Sequence, residues 1–139
     1  MVGILLLTHN GLGDSLVDCV RHVTGKIPTQ LKTLSVLADD DPQAKEAEAL
    51  ALIKQLDTGE GVLLLTDIFG ATPSNIARRL CQPGQVEGVA GVNLPMLLRV
   101  ACGPQVPLDL MAQRALQGGQ ECIVPLNAEL EGCKIICEK

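Results

Sequence analysis

The sequence is almost bare of aromatic side chains: its 139 residues include no Trp, no Tyr and a single Phe. One ring cannot supply the stacking platforms on which single-stranded nucleic acids are read, and no Lys- or Arg-rich run is present to neutralise a phosphate backbone. The formal charge is −5, from 11 Lys+Arg against 16 Asp+Glu, so no nucleic-acid partner is expected. Imidazoles are scarce too. His9 and His22 are the two in the chain, too few for a convincing zinc site, and none of the six cysteines form a Cys-x-x-Cys pair. No metal and no cofactor is expected. No apolar stretch reaches the roughly 18–20 residues of a membrane span. The opening Val2–Leu7 run is too short for a secretory signal and has no basic residues before it. The expected setting is the cytoplasm, with no direct membrane insertion, where thiols stay reduced. Cys133 and Cys137, the closest pair, flank Lys134-Ile135-Ile136 and read as small hydrophobes.

Apolar residues make up 47% and charged residues 19%, enough for one core. No repeat, low-complexity tract or composition break divides the chain. Val2–Thr8 reads as a buried strand that ends in the polar, Gly-rich turn His9-Asn10-Gly11-Leu12-Gly13. From Asp14 the period changes: Leu16, Val17, Val20 and Val23 share a helical face that Gly25 closes. Thr33–Leu37 is a second strand. Asp41 then caps a helix with Pro42 in its first turn, carrying Ala44, Ala47, Leu50, Ala51 and Lys54. Gly61–Thr66 is a third strand, and after the Asp67–Ala71 loop Thr72-Pro73 repeats the cap-plus-Pro signature. Val86–Val92 is a fourth strand, Asn93-Leu94-Pro95 opens another helix, and a helix from about Leu108 stops at Gly118-Gly119. Cys122–Leu126 reads as a last short strand; Cys133–Cys137 is either a further strand or a packed extension.

Strand and helix alternate four times, the pattern of right-handed crossovers over a parallel sheet covered on both faces. Ligands of such open sheets meet the carboxyl ends of the strands, and the polar residues sit there: His9 after the first strand, Asp67 after the third, Asn93 after the fourth. As neutral imidazole, His9 is a nucleophile able to attack phosphorus through one ring nitrogen while an acceptor holds the other N–H. Asp67 is the natural acceptor, since a carboxylate sets tautomer and ring orientation. The helix starts after Gly11-Leu12-Gly13 and at Thr72-Pro73-Ser74 offer free N–H groups and a positive dipole end to an anion, and the Thr72 hydroxyl can donate to a phosphoryl oxygen. Gly11, Gly70, Ala71, Ser74 and Asn93 are accordingly candidate substrate-binding positions. Each has a plainer reading: His9 as a turn residue, Asp67 as a cap, Thr72 as an N-cap, and Asp39-Asp40-Asp41 as a solvated cap. Phe69 either packs or serves as an apolar knob for a partner.

Three stretches carry a resemblance: Ile4-Leu5-Leu6-Leu7-Thr8-His9, then Thr66-Asp67-Ile68-Phe69-Gly70-Ala71-Thr72-Pro73-Ser74-Asn75, then Ala90-Gly91-Val92-Asn93-Leu94-Pro95-Met96-Leu97. In that order and spacing the chain, over roughly Met1 to Leu126, resembles the mannose-class enzyme IIA family of the bacterial phosphoenolpyruvate-dependent sugar phosphotransferase system. The resemblance implies that His9 accepts and donates a phosphoryl group through Nε2, that Asp67 holds Nδ1, and that Thr72 lies beside the phosphate. It implies the histidine-containing phosphocarrier protein as donor and an enzyme IIB as acceptor. The implied fold is α/β in three layers: an open sheet of four parallel strands plus one antiparallel strand near Cys122–Leu126, exchanged across a homodimer, with helices on both faces. Residues 1–126 would form the phosphoryl-transfer domain and 127–139 an extension of unknown role.

The family commonly has Gly-Gly-Ser-Pro where this chain has Gly70-Ala71-Thr72-Pro73. Thr keeps the hydroxyl, but Ala71 then has to fit a less permissive backbone. No IIB portion follows, so two further readings stand beside transport: a regulatory switch binding partners according to phosphorylation state, or a receiver-like domain phosphorylated on Asp67. Against the last, the first strand ends in His9 rather than an acidic pair.

Overall fold

Leu5, Leu6, Leu7, Leu63, Leu64 and Leu65 have no solvent-accessible surface at all, which a strand achieves only when both faces of its sheet are covered. The computed structural model, which describes residues 1–127, supplies that cover. Its elements run β1 (Gly3–His9), α1 (Leu12–Thr24), β2 (Leu31–Val36), α2 (Pro42–Leu56), β3 (Val62–Thr66), α3 (Thr72–Leu80), β4 (Val86–Ala90), α4 (Leu94–Cys102) and α5 (Leu108–Glu121). The four strands form one sheet in the order β2-β1-β3-β4, and every neighbouring pair is parallel. Alternate side chains of β1 divide the core in two. Ile4 and Leu6 pack with Val20 of α1, Leu97 of α4 and Met111 of α5. Leu5 and Leu7 pack with Ile53 and Leu56 of α2 and Ile76 of α3. No helix among the described residues is long and apolar enough to cross a membrane.

Asp41 caps α2 through a bond from the Gln43 N–H, with Pro42 in the first turn, and Gly25 closes α1 in the left-handed conformation. The face of α2 differs from the expectation. Ala49, Ile53 and Leu56 are buried, whereas Ala44, Ala47, Leu50 and Ala51 face solvent. Alanines stand on both sides of this helix, so its apolar periodicity points weakly in either direction, and β1 packing decides.

Two corrections concern the C-terminal part. The Gly118-Gly119 pair does not stop α5, which runs on to Glu121. A Cβ on Gly118 would stand 3.1 Å from the Arg99 side chain, and one on Gly119 would stand 2.8 Å from Met96 Cε. The glycines are therefore where α5 approaches α4, not a terminator. The expected antiparallel strand at Cys122–Leu126 is absent too: Cys122 ends α5, and no ladder joins 123–126 to the sheet. An apolar stretch becomes a strand only when a neighbouring backbone takes its N–H and C=O groups, and within one chain none does. The Cys133–Cys137 segment lies outside the described residues.

Candidate functional site

Parallel pairing matches Leu7 of β1 with Thr66 of β3, so the two residues that follow these strands emerge side by side at the carboxyl edge. β1 is held there from both flanks: the Asn10 N–H donates to the Val36 carbonyl at 3.0 Å, and the His9 N–H donates to Asp67 Oδ2 at 2.9 Å. Asn10 then takes the left-handed turn (φ 48°) that swings the chain into α1, a conformation Asn tolerates better than most residues.

The same Asp67 oxygen lies 2.8 Å from His9 Nδ1, while Oδ1 accepts the Ile68 N–H at 2.9 Å. A carboxylate only accepts, so the shared proton belongs to Nδ1 and the Nε2 lone pair is left exposed. Burial differs across the pair: the His9 side chain is 44% exposed and that of Asp67 10%. Burial pushes the Asp67 carboxyl up, but the His9 backbone N–H, the His9 ring and its electrostatic pull, and the Ile68 N–H together push it down harder. The net result lies below the ordinary carboxylate value. The aspartate is thus an ionised anchor and the histidine the reachable nitrogen.

Two helix starts flank this pair. At α1, Gly11 occupies the N-cap without a side-chain bond. The cap comes instead from Thr8, whose buried Oγ1 accepts the Gly13 N–H at 2.9 Å. At α3 the N-cap is Ala71 rather than Thr72. The Thr72 hydroxyl makes no hydrogen bond among the described residues, which leaves it available. The turn before it is held by Ser74, whose buried Oγ accepts the Gly70 N–H at 2.9 Å and donates to the Ala71 carbonyl at 3.0 Å. The left-handed residue of this turn is Gly70, at φ 89°. Ala71 itself is extended (φ −104°, ψ 174°), so alanine fits there without strain.

The structure brings His9 and Asp67 into contact and sets Gly11, Gly70, Ala71 and Thr72 at the two flanking helix starts. Ser74 and Asn93 are committed elsewhere. The Ser74 hydroxyl is spent inside the turn. Asn93 caps α4 by accepting the Met96 N–H at 2.9 Å and donates its amide to the Gly119 carbonyl at 3.2 Å, so it ties α4 to α5. Phe69 is 69% exposed, with Ile68 beside it at 57%, and Arg78 of α3 stands over its ring, 5.5 Å from the centroid. Sequence reading missed Thr8 and Arg78. A threonine five residues before a helical glycine carries no recognisable signal, nor does an arginine nine residues past a loop phenylalanine. Among the described residues no three His, Cys, Asp or Glu side chains cluster as a metal site would require.

Comparison with known proteins places this geometry among relatives. The family described as "PTS system fructose IIA component" matches residues 3–106. The chain is 26% identical over 131 residues to the PTS system mannose-specific EIIAB component of Escherichia coli K12, covering 92% of this chain and 40% of that protein. It therefore spans well under half the length of that relative. It is 27% identical over 101 residues to the PTS system fructose-specific EIIA component of Bacillus subtilis 168, covering 72% of this chain and 68% of that one. In fold it is similar to the mannose/sorbose-specific IIA subunit from Enterococcus faecalis, with a TM-score of 0.82 and 24% identity over 93% of this chain and 97% of that one.

Proposed function

Since the chain belongs to the PTS fructose IIA component family, we propose that it carries a phosphoryl group between proteins on Nε2 of His9. The observation that supports this reading is one carboxylate oxygen, Asp67 Oδ2, bound by both the backbone N–H and Nδ1 of His9. The ring is fixed in position, orientation and tautomer before any partner arrives.

In the transfer, the Nε2 lone pair attacks phosphorus in line, a new P–N bond forms, and the P–N bond to the donor's histidine breaks. The donor imidazole leaves with that electron pair. The Nδ1 proton stays between His9 and Asp67, whose negative charge balances the positive charge developing on the ring. The first-turn N–H groups of α1 and α3, with the Thr72 hydroxyl, receive the phosphoryl oxygens. No arginine or lysine sits in these turns, so the phosphate is held firmly enough to orient it and loosely enough to pass on. The donor is the histidine-containing phosphocarrier protein, and an enzyme IIB or a regulatory target is the acceptor. Phosphorylation on Asp67 is the weaker alternative, because both of its oxygens already accept hydrogen bonds.

A second copy completes the molecule. β4 ends the sheet with one edge unpaired, and Ile123 and Leu126 stand exposed close behind α5. Exchange of that segment onto the partner's β4 would satisfy both, and a dimer by light scattering is the expected result.

Incubation with phosphoenolpyruvate, enzyme I and the phosphocarrier protein is expected to label the chain with an acid-labile, base-stable phosphate. His9→Ala should remove the label. Persistent labelling of that variant, or a hydroxylamine-sensitive label, would overturn the assignment.

A further inference from the structure

The rim of the site carries a feature that phosphate chemistry does not use. Ile68 and Phe69 project into solvent immediately after the anchoring Asp67, and Phe69 is the lone aromatic residue of the chain. An exposed phenylalanine on a loop ordinarily samples several rotamers, and each one frozen on binding costs entropy. Here the guanidinium of Arg78, two turns into α3, lies over the ring at 5.5 Å, within the range of a cation–π contact.

Charges around Arg78 are uneven. Its neighbour Arg79 is ion-paired to Glu46 of α2. Arg78 itself has no carboxylate partner among the described residues, and its contact is the Phe69 ring. In a chain of net charge −5, the turn beside the phosphorylation site thus presents an uncompensated cation at the foot of an apolar knob.

On the reading that His9 receives phosphate from a protein, we infer that Arg78 is a positioning and specificity-determining residue. It holds Phe69 in its docked orientation and selects a phosphocarrier whose surface offers an apolar cleft flanked by a carboxylate. Phe69 supplies buried area at the centre of the encounter, as aromatic anchors do. Arg78 supplies the charge complement that steers the acidic flank and fixes the register of the two histidines. Neither residue touches the reacting atoms. A small donor that needs no docking therefore bypasses both.

The test compares two phosphoryl donors on the full chain: the phosphorylated histidine phosphocarrier protein and phosphoramidate, a small P–N compound. With the carrier, Arg78→Ala is expected to raise KM about tenfold while kcat stays within about twofold. Arg78→Met keeps a stem against the ring and removes the charge; its KM should rise less, and the steep salt dependence of the wild-type KM should flatten. Labelling of His9 by phosphoramidate should proceed at the wild-type rate in both. An unchanged carrier KM in Arg78→Ala would overturn the inference while leaving His9 as acceptor intact. So would an equal slowing with both donors, which would place Arg78 at the histidine rather than at the partner. Wild-type protein that takes phosphate on His9 from neither donor would instead remove the reading on which the inference rests.

Discussion

Asp67→Asn is the most informative single perturbation, because it preserves the volume of the anchor and removes only its charge and one acceptor. In the wild type, Oδ2 takes the His9 N–H at 2.9 Å and Nδ1 at 2.8 Å, and Oδ1 takes the Ile68 N–H at 2.9 Å. An amide cannot serve all three. With its oxygen on His9, its NH₂ faces the Ile68 N–H, donor against donor. With the amide reversed, the NH₂ faces Nδ1 and drives the ring proton to Nε2, the nitrogen that has to attack. Exchanging a charge-assisted bond for a neutral one costs about 1–2 kcal/mol. Losing the counter-charge to the imidazolium that forms during attack costs about 2 kcal/mol more. The sum, about 3–4 kcal/mol, corresponds to transfer slowed by about 10²- to 10³-fold. Single-turnover rapid-quench transfer from the phosphorylated carrier measures it, with KM nearly unchanged because Asp67 is mostly covered. A variant rate within about threefold of wild type would refute the argument, since a loss that small leaves no place for an anchor that sets the tautomer.

Asp67 also predicts a pH signature. Its carboxyl sits below the ordinary 3.8 in the folded protein, so its contribution to stability is present above that value and is lost as pH falls through the folded one. The Tm advantage of wild type over Asp67→Asn should therefore be constant from neutral pH to about pH 5 and shrink below pH 4; an advantage that grows on acidification would contradict the assignment. Ser74→Ala removes the acceptor of the Gly70 N–H and the donor to the Ala71 carbonyl from a buried turn. It should cost about 1–3 kcal/mol in denaturant unfolding, with slower transfer because this turn leads from Asp67 into α3. Unchanged stability would mean that the turn holds its shape without the hydroxyl.

Much of this site is legible in the sequence because its parts are local. Apolar runs bounded by glycine, the cap-plus-proline signatures at Asp41-Pro42 and Asn93-Leu94-Pro95, and the alternation of periods each occupy a few residues. Together they imply a parallel sheet whose carboxyl ends collect His9 and Asp67. At Thr72-Pro73 the same signature marked the helix correctly and misassigned the cap. Helix entry is set by backbone geometry, and the nearby Ser74 hydroxyl claimed the turn's free groups first. Gly118-Gly119 was misread for a related reason: a glycine pair that ends an isolated helix also permits close approach of two packed ones, and only the position of α4 distinguishes these.

By itself the sequence determined that this chain folds as alternating strands and helices, that His9 is its one nucleophile poised at a strand end, and that a carboxylate is available after the third strand. Tertiary structure alone decided that one oxygen of Asp67 meets both the amide and Nδ1 of a residue 58 positions away. It also decided that Arg78 lies over Phe69, which side of α2 is buried, and that residues 123–126 find no strand partner within the chain. The division has a physical origin. Periodicity and capping arise from bonds a few residues long, whereas these contacts depend on the register of β1 against β3 and on how the helices settle over the sheet, quantities set by packing the whole core at once.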